Sequence, residues 1–335
     1  MRSDVVAYAS VRIFALIKHV PTNPYKKDAS MKNSWKTTLI LLFTLSFLTF
    51  SCSESDNLPK PKTDDNTAAN TNANPTTDNA NYARLEFPHI KTSGNNLVII
   101  HTTPEYGINY SVEWDCDKKA QRWSCYEMDA SNSAINWKRS QWKTTSWGGD
   151  PFQEDTVIPQ PYRTTLANYR GTGYDRGHIC PSADRQNSQA ANEQTFFLSN
   201  MQPQINGFNA GVWMNMEDHL RNTWNTSTYR DILYVCKGGT IDNASQIAGY
   251  TPGSKLIVPK YFFAAILALK NGQYKAIGLW FEHKKNSDND LSNYVVSINE
   301  LEKLTGIDFF CNLPDSIENK VESATKAEMI SDWGL

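Results

Sequence analysis

The sequence predicts an α+β fold in which a central antiparallel β-sheet is flanked by helices. Segments rich in β-branched and aromatic residues recur along the chain, as expected for strands. Two of them are joined by residues 270–273, whose Asn-Gly pair is typical of a tight hairpin. Helical patterns are fewer, and strands in hairpins separated by a few long insertions favour an antiparallel sheet with helices packed on it. With 40% hydrophobic and 12% aromatic residues among 335, the chain can fill a large core, and disorder throughout is excluded.

The individual elements follow from local patterns. Segment Asn209–Trp224 is predicted to be helical because its apolar residues Val212, Met216 and Leu220 are spaced by four. A second helix is predicted over 297–306, where a Ser/Glu capping box marks the start and a Gly marks the end. The predicted strands are Asn96–Thr102, Tyr106–Trp114, Arg122–Met128, Thr195–Met201, Asp231–Lys237, Tyr261–Leu269 and Tyr274–His283.

The N-terminal region is predicted to be an export signal. Residues 31–52 have a charged start, an apolar stretch over Thr37–Phe50 and a small residue before Cys52, which describes a secretory signal of the bacterial lipoprotein type with Cys52 acylated. A plain signal peptide in which Cys52 is incidental is the alternative. Residues 1–30 precede the internal Met31 and show nothing signal-like, so we interpret them as an upstream extension from a misplaced start.

A flexible tether is predicted to follow the signal. Residues 53–82 are rich in Asn, Thr, Asp and Pro and nearly free of large apolar side chains, so burial cannot offset the entropy of ordering them. We therefore expect one folded domain over 83–335. The predicted location is exported, either as an outer-membrane lipoprotein on the periplasmic or cell-surface side or as a secreted protein. No apolar run approaches twenty residues, so no membrane-spanning helix is predicted.

Charge and cysteine usage set further limits. The chain has 33 Lys and Arg against 35 Asp and Glu, a net charge of −2, which excludes a protein that coats nucleic acid by bulk electrostatics but not one with a local basic groove. Without Cys52, an odd number of cysteines remains, so an exported protein keeps at least one free thiol. Their spacing does not resemble a zinc site, and their pairing stays open: Cys116, Cys125, Cys180, Cys236 and Cys311.

Two segments carry residues suited to chemistry. In the first, over 173–181, Asp175, Arg176 and His178 crowd around Gly177, which lets the backbone approach another group closely. Arg176 offers a planar fork suited to a phosphodiester, and His178 can accept a proton from water near neutral pH. Taken alone, such a tetrapeptide is more often a salt-bridged turn than a catalytic motif.

The second segment runs from residue 197 into the predicted helix. Asn209, Glu217 and Arg221 lie at i, i+8 and i+12, which places them within about 120° of arc on one helix face. In a purely structural interpretation, Glu217 and Arg221 form a surface ion pair and Asn209 caps the N-terminus of the helix. A chemical reading gives the Asn209 amide oxygen to a hard cation. Because Mg²⁺ keeps most of its waters, Asn209 with Glu217 acting through metal-bound water suffices to hold it.

Together, the two segments resemble the DNA/RNA non-specific endonuclease family, the ββα-metal nucleases that include secreted bacterial nucleases and mitochondrial endonuclease G. The resemblance implies a ββα-metal catalytic motif within the α+β fold, Mg²⁺ as cofactor with Mn²⁺ as an alternative, and DNA and RNA as substrates. It leaves a homodimer open. The residues that carry it are Asp175-Arg176-Gly177-His178, Asn200-Met201-Gln202-Pro203-Gln204, Asn209, Gly211, Trp213, Glu217 and Arg221.

The resemblance also implies a role for each site residue. It makes His178 the general base that activates water and Asn209 the direct ligand of Mg²⁺. The remaining implied roles are water-mediated metal binding for Glu217, phosphate contact or transition-state neutralisation for Arg221, substrate-backbone binding for Arg176, orientation of the site for Asn200, a structural part for Asp175, and stabilisation of the pentavalent phosphorane for Arg139.

The implied reaction is Mg²⁺-dependent hydrolysis of DNA and RNA phosphodiester bonds to 5′-phosphate products. Two other classes of function stay open at this point. One is an exported phosphodiesterase that acts on small nucleotides, and the other is a surface lipoprotein that binds a polymer without cutting it. A nuclease toxin with an immunity partner is a variant of the first reading. Assays on polymer and mononucleotide substrates discriminate among these classes.

Overall fold

A seven-stranded antiparallel sheet forms the centre of the protein. The computed structural model describes residues 69–142, 149–253 and 255–335; the predicted signal over 31–52 and the extension 1–30 lie outside these ranges. None of the helices in the described ranges is long and apolar enough to cross a membrane. The strands are β1 (Asn96–Thr103), β2 (Gly107–Asp115), β3 (Ala120–Asp129), β4 (Asp175–His178), β5 (Met201–Gln204), β6 (Ile232–Gly239), β7 (Ile247–Tyr250), β8 (Ile257–Pro259), β9 (Tyr261–Lys270), β10 (Gln273–Glu282) and β11 (Val295–Val296).

The large sheet has the strand order β1-β2-β3-β6-β9-β10-β11, and each neighbouring pair is antiparallel. Strands β4 and β5 form a separate two-stranded ribbon, as do β7 and β8. The predicted hairpin is confirmed: β9 and β10 meet at Asn271-Gly272, with φ values of 50° and 75°, the positive values that a tight I′ turn requires. The predicted α+β class with a central antiparallel sheet is therefore confirmed.

Helices cover both faces of the sheet, which explains why the central strands read as continuous apolar runs. Along β9, Phe262, Ala264 and Ile266 belong to one hydrophobic cluster, and the alternate residues belong to the other. The helices are α1 (Leu166–Tyr169), α2 (Gln189–Gln194), a segmented helix over 206–224 that we call the site helix, α3 (Ile298–Thr305), α4 (Asp315–Glu322) and α5 (Lys326–Trp333). The site helix and α5 contribute to the first cluster, and α3 and α4 to the second.

The site helix joins Asn206–Phe208, a π turn at Asn209–Trp213, Met214–His219 and a second π turn at Leu220–Trp224. Its apolar stripe, Val212, Met216, Leu220 and Trp224, is fully buried, as the spacing of four predicted. In a regular α-helix, residues spaced by four are each displaced by about 40° around the helix axis from the one before. The chain departs from helical geometry at Gly211, where φ is −107° and ψ is −121°, and the stripe nevertheless stays buried against the sheet.

The second predicted helix is confirmed as α3. The Ser297 hydroxyl accepts a hydrogen bond from the Glu300 amide at 3.1 Å, and the helix ends at Gly306 with φ of 69°. The reciprocal bond of the predicted capping box, from the Ser297 amide to the Glu300 side chain, is not formed among the described residues.

The prediction of a strand over Thr195–Met201 is wrong for most of that segment. Thr195 ends α2, Leu198–Asn200 forms a 3₁₀ turn, and only Met201 begins a strand, β5. Side chains satisfy the backbone here in place of a sheet ladder: the Thr195 hydroxyl donates to the Asn192 carbonyl at 2.6 Å. Apolar content alone did not separate a buried turn from a strand.

The prediction of a flexible tether over 53–82 also needs correction. Residues 53–68 lie outside the described ranges, but residues 69–74, which we call the N-terminal strap, are bonded to the C-terminal part of the domain. The Asn70 side-chain amide donates to the Leu313 carbonyl at 2.7 Å, and the Asn74 backbone amide donates to Asn312 Oδ1 at 3.0 Å. The Asp315 amide donates to the Ala69 carbonyl at 2.8 Å. The folded body therefore extends to residue 69 at least, rather than starting near 83.

The cysteines within the described ranges are all buried free thiols. This agrees with the expected free thiol, and the structure leaves no pairing to assign among them. Cys125 on β3 lies directly opposite Cys236 on β6 in the register of the sheet.

Candidate active site

The Asp-Arg-Gly-His tetrapeptide forms the whole of β4. It pairs with β5, so that His178 faces Met201 and Asp175 faces Gln204. The Gln204 side chain lies across Gly177, where a Cβ atom would approach its Cδ to 2.2 Å. The glycine of the motif is therefore required by close approach of a neighbouring side chain, as the sequence suggested, and its partner in that approach is Gln204.

An open cleft of about 580 Å³ lies beside this ribbon. It brings together four of the predicted site residues, namely His178, Arg176, Arg139 and Asn209. The other residues that line it are Asp150, Phe152, Leu166, Tyr169, Arg170, Tyr174 and Asp175. Residues far apart in sequence thus meet at one surface.

His178 is held in an aromatic and cationic setting. Its ring lies 5.5 Å from the ring of Phe152 and 5.2 Å from that of Phe196, and its backbone carbonyl accepts from Trp213 Nε1 at 3.2 Å. Nε2 is buried with no hydrogen-bond partner among the described residues. Burial, followed by the charges of Arg139, Lys237 and Arg176, lowers the pKa of His178 to about 3. The imidazole is therefore neutral, which is the state that accepts a proton.

Asn209 is oriented by the first residue of the motif. Its Nδ2 donates to Asp175 Oδ2 at 3.0 Å, and the same oxygen accepts from Asn206 Nδ2 at 3.0 Å. Because Asp175 takes the amide nitrogen, Asn209 Oδ1 is the atom left without a hydrogen bond among the described residues at the cleft. A carbonyl-type oxygen fixed in this way fits a hard cation such as Mg²⁺. Asp175 thus holds the amide nitrogens of both Asn206 and Asn209.

Two arginines flank the base. The Arg176 guanidinium lies over the Phe152 ring at 3.9 Å and donates to Asp150 Oδ2 at 2.9 Å. The Arg139 guanidinium lies 5.2 Å from the Phe196 ring, and burial together with the charge of Arg176 lowers its pKa. Both cations therefore rest on aromatic side chains at the rim of the cleft, where an anionic backbone can reach them.

Glu217 does not line the cleft, and its partner was missed in the sequence. Lys237 on β6, fully buried, donates to Glu217 Oε1 at 2.8 Å. Its ammonium also lies 5.1 Å from the Trp213 ring. Burial raises the pKa of Glu217, which Lys237 opposes. Side chains alternate along a strand, so Leu233, Val235 and Lys237 share one face of β6. A lysine on the buried face of an apolar strand needs an anionic partner, and this was the sequence signal that could have pointed to Lys237.

Arg221 and Asn200 also lie away from the cleft lining. Arg221 donates to Asp184 Oδ1 at 2.8 Å and to Asp218 Oδ1 at 2.7 Å, rather than pairing with Glu217. Asn200 is fully buried; its Oδ1 accepts from the Cys180 amide at 2.9 Å and its Nδ2 donates to the Cys180 carbonyl at 2.8 Å. Asn200 thus fixes the backbone two residues after His178, and it acts through position rather than by contact.

A neutral imidazole, an oriented amide oxygen and two arginines around one cleft are the groups that hydrolysis of a phosphate ester needs. The family model for DNA/RNA non-specific endonuclease matches residues 93–316. A Nuclease from Nostoc sp. (strain PCC 7120 / SAG 25.82 / UTEX 2576) is 30% identical over 224 residues, which are 64% of this chain and 75% of that protein. Nuclease C1 from Cunninghamella echinulata var. echinulata is 32% identical over 192 residues, covering 55% of this chain and 75% of that protein.

Mitochondrial endonuclease G from Bos taurus is 34% identical over 174 residues, 48% of this chain and 56% of that protein. A chain in the crystal structure of the EndoG/EndoGI complex, a study of EndoG inhibition, superimposes with a TM-score of 0.55 at 21% identity, covering 68% of this chain and 91% of that chain. That likeness concerns the fold. The chain belongs to the DNA/RNA non-specific endonuclease family, and it is a nuclease, a hydrolase that acts on nucleic acids.

Proposed function

We propose that this nuclease is a Mg²⁺-dependent endonuclease that hydrolyses phosphodiester bonds of both DNA and RNA to 5′-phosphate products. His178 serves as general base and Asn209 as metal ligand. The observation that carries the proposal is the cleft in which the neutral His178, the oriented Asn209 oxygen and the arginines 139 and 176 meet.

His178 accepts a proton from the attacking water. Its lowered pKa keeps it unprotonated before substrate binds. Phosphate brought beside it supplies negative charge, which favours the imidazolium that forms as the proton is taken. Trp213 supports this chemistry by holding the His178 carbonyl, which fixes the end of β4 against the site helix.

Arg176 and Arg139 bind the phosphodiester and offset the charge that develops on its oxygens. The aromatic rings beneath them limit the orientations that the guanidinium groups adopt. When bound at Asn209, Mg²⁺ supplies Lewis-acid stabilisation of phosphate charge, and Mn²⁺ is the alternative ion. Because these groups recognise phosphate rather than base edges, cleavage is nearly independent of sequence.

Glu217 and Arg221 complete the proposed machinery from the site helix. Glu217 acts on the metal through water, and its ion pair with Lys237 fixes the direction of its carboxylate. Arg221 helps to neutralise the transition state, and its two carboxylate partners position it. Asn200 orients the turn that follows the base.

The test uses the full chain with plasmid DNA and a structured RNA, in Mg²⁺ and in EDTA. His178→Ala is expected to lower kcat by about 10²- to 10⁴-fold, the usual contribution of a general base. Asn209→Ala is expected to abolish the metal-dependent rate. Matched controls outside the cleft, His89→Ala and Asn215→Ala, are expected to keep it.

Two outcomes would contradict the proposal. Absence of cleavage by the unaltered chain across several divalent metals would favour the polymer-binding lipoprotein. Cleavage of a small nucleotide diester but of neither polymer would favour the phosphodiesterase.

We also propose that the protein is exported and held at a membrane through a lipid on Cys52. The support is the signal pattern over 31–52, which lies outside the described residues. If this is correct, Cys52→Ser moves the nuclease from the membrane fraction to the soluble fraction. Unchanged fractionation would leave the plain signal peptide as the better reading.

A further inference from the structure

A cluster of carboxylates lies on the face of the sheet opposite the site helix. Helix α3, the loop after it, α4 and the N-terminal strap meet there, over a cavity of about 350 Å³. One carboxylate oxygen from each of Glu302, Asp308 and Glu322 lies within 4.8 Å of the others. The remaining residues that line the cavity are Thr71, Asn72, Asp315, Glu318 and Asn319.

No ion pair is formed with this cluster in the described part of the chain, although Lys303 and His89 lie near enough to act against the raised pKa values of Glu302 and Asp308. Among the described residues, no Lys, Arg or His nitrogen lies within 4.0 Å of a carboxylate oxygen of Glu302, Asp308, Glu318 or Glu322. Burial and the neighbouring carboxylates raise the pKa of Glu302 to about 7, of Glu318 to about 7 and of Glu322 to about 9. The cluster is therefore short of positive charge in the structure as it stands.

Two buried oxygen atoms at the cavity are also without a partner. Glu322 is only 6% exposed, and its Oε1 is buried with no hydrogen bond among the described residues. The Asn72 amide nitrogen donates to Asp308 Oδ2 at 3.3 Å and to Glu318 Oε1 at 2.8 Å, while its Oδ1 is buried and unpartnered in the described structure. Unpaired buried acceptors are costly, and each calls for a donor or a cation.

We propose that Glu302, Asp308 and Glu322 form a Ca²⁺ site, with Glu318 as a neighbouring carboxylate and with the Asn72 amide nitrogen holding Asp308 and Glu318 in place. Ca²⁺ takes carboxylate and amide oxygens at about 2.3–2.6 Å, so opposing ligands lie about 4.6–5.2 Å apart. Three carboxylate oxygens that all lie within 4.8 Å of one another are close enough to share one such ion. Mg²⁺ requires oxygens at about 2.0–2.1 Å and retains water, so this all-protein oxygen set favours the larger ion.

The site would fasten the two ends of the domain to each other. Asn72 belongs to the N-terminal strap, Glu302 to α3 and Glu322 to the last turn of α4. A cation held by Glu302, Asp308 and Glu322 would fix Asp308, to which Asn72 donates a hydrogen bond, and so adds to the strap bonds from Asn70 and Asn74. It shares no lining residue with the catalytic cleft, so its effect is on stability rather than on the reacting phosphate.

The test measures Ca²⁺ binding and thermal unfolding of the full chain after chelator treatment. The Asn209→Ala background removes the proposed ligand in the cleft, so any site that remains is separate from the nuclease metal. In that background we expect one Ca²⁺ per chain and a rise in Tm with Ca²⁺ that equimolar Mg²⁺ does not match. Loss of all Ca²⁺ binding with Asn209→Ala would overturn the proposal while leaving the nuclease mechanism intact.

Glu322→Gln and Asp308→Asn are expected to weaken Ca²⁺ binding by about tenfold or more, because each removes a charged ligand. Glu300→Gln, an exposed carboxylate on the same α3 helix, is the matched control and should bind as the unaltered chain does. If Glu322→Gln instead raises Tm and the unaltered chain shows no response to Ca²⁺, the cluster holds protons rather than a cation and the proposal fails. Because Glu322→Gln and Asp308→Asn each keep nearly the same side-chain shape, loss of Ca²⁺ binding in both would not be explained by a folding defect in one of them.

Discussion

The charge state of His178 is set by what surrounds one imidazole. Burial is the largest cause of its lowered pKa, and the cations Arg139, Lys237 and Arg176 act in the same direction. In the unfolded chain the group titrates near 6.5. The folded protein therefore keeps the base unprotonated over a pH range in which an exposed histidine is already charged and inactive.

We predict that the acid limb of the pH profile of kcat/KM lies well below 6.5, since that limb reports the base in the free enzyme. Activity is constant above the folded pKa and falls as pH decreases through it. Arg139→Gln removes a positive charge, so it raises the pKa of His178 and moves the limb to higher pH. Arg139→Lys keeps the charge and should leave the limb in place. A limb at the ordinary histidine value, unmoved by Arg139→Gln, would refute this account of the base.

At the scale of elements, the β4–β5 ribbon depends on one crowded contact. Gly177→Ala would place a Cβ 2.2 Å from Gln204 Cδ, so the two strands must shift or the side chain must leave. We predict a loss of about 1–3 kcal/mol in the free energy of unfolding, the usual cost of overpacking. Adding Gln204→Ala removes the crowded atoms and should restore most of that loss. The measurement is urea unfolding of both single variants and the double variant; equal losses in Gly177→Ala and in the double variant would exclude this contact as the cause.

The elements that the sequence predicted are those whose signal is local. The tetrapeptide at 175–178 is contiguous, the apolar stripe from Val212 has one period, and the Asn271-Gly272 turn is a dipeptide. What escaped prediction depends on contacts between distant segments. Phe152 and Asp150 reach His178 and Arg176 from a loop, and Lys237 reaches Glu217 from another strand. Nothing local marks such partners except a cation in an apolar strand.

The N-terminal strap also escaped prediction, here because the sequence indicated disorder where the structure is ordered. Its composition is that of a disordered tether, because it offers almost no apolar surface to bury. It is nevertheless bonded to the domain, since the Asn70 and Asn74 side chains satisfy backbone groups of distant segments. Asn74 Oδ1 accepts from the Ile90 amide at 2.8 Å, while its nitrogen donates to the Pro88 carbonyl. Composition reports burial, whereas this segment is held by polar bonds that composition does not encode.

On the scale of the whole molecule, the sheet separates two chemical surfaces. The catalytic cleft belongs to the side of the site helix, and the proposed Ca²⁺ site belongs to the side of α3 and α4. The net charge of −2 means that the protein as a whole does not attract nucleic acid. Attraction must therefore come from the few cations at the cleft, Arg139, Arg170 and Arg176, with Asp150 opposing them.

This charge distribution predicts a weak salt dependence of DNA binding. With three cleft arginines as the phosphate contacts, the slope of log K against log salt for duplex DNA is expected to be about −3 or shallower. The measurement uses His178→Ala, whose slow cleavage leaves time to measure binding, titrated with a short duplex at fixed Mg²⁺. Arg170→Gln should reduce the slope by about one contact, whereas Lys326→Gln on α5 should not change it. A slope of about −6 or steeper would show that an extended basic surface outside the cleft also binds the polymer, because each further phosphate contact releases its own counterion.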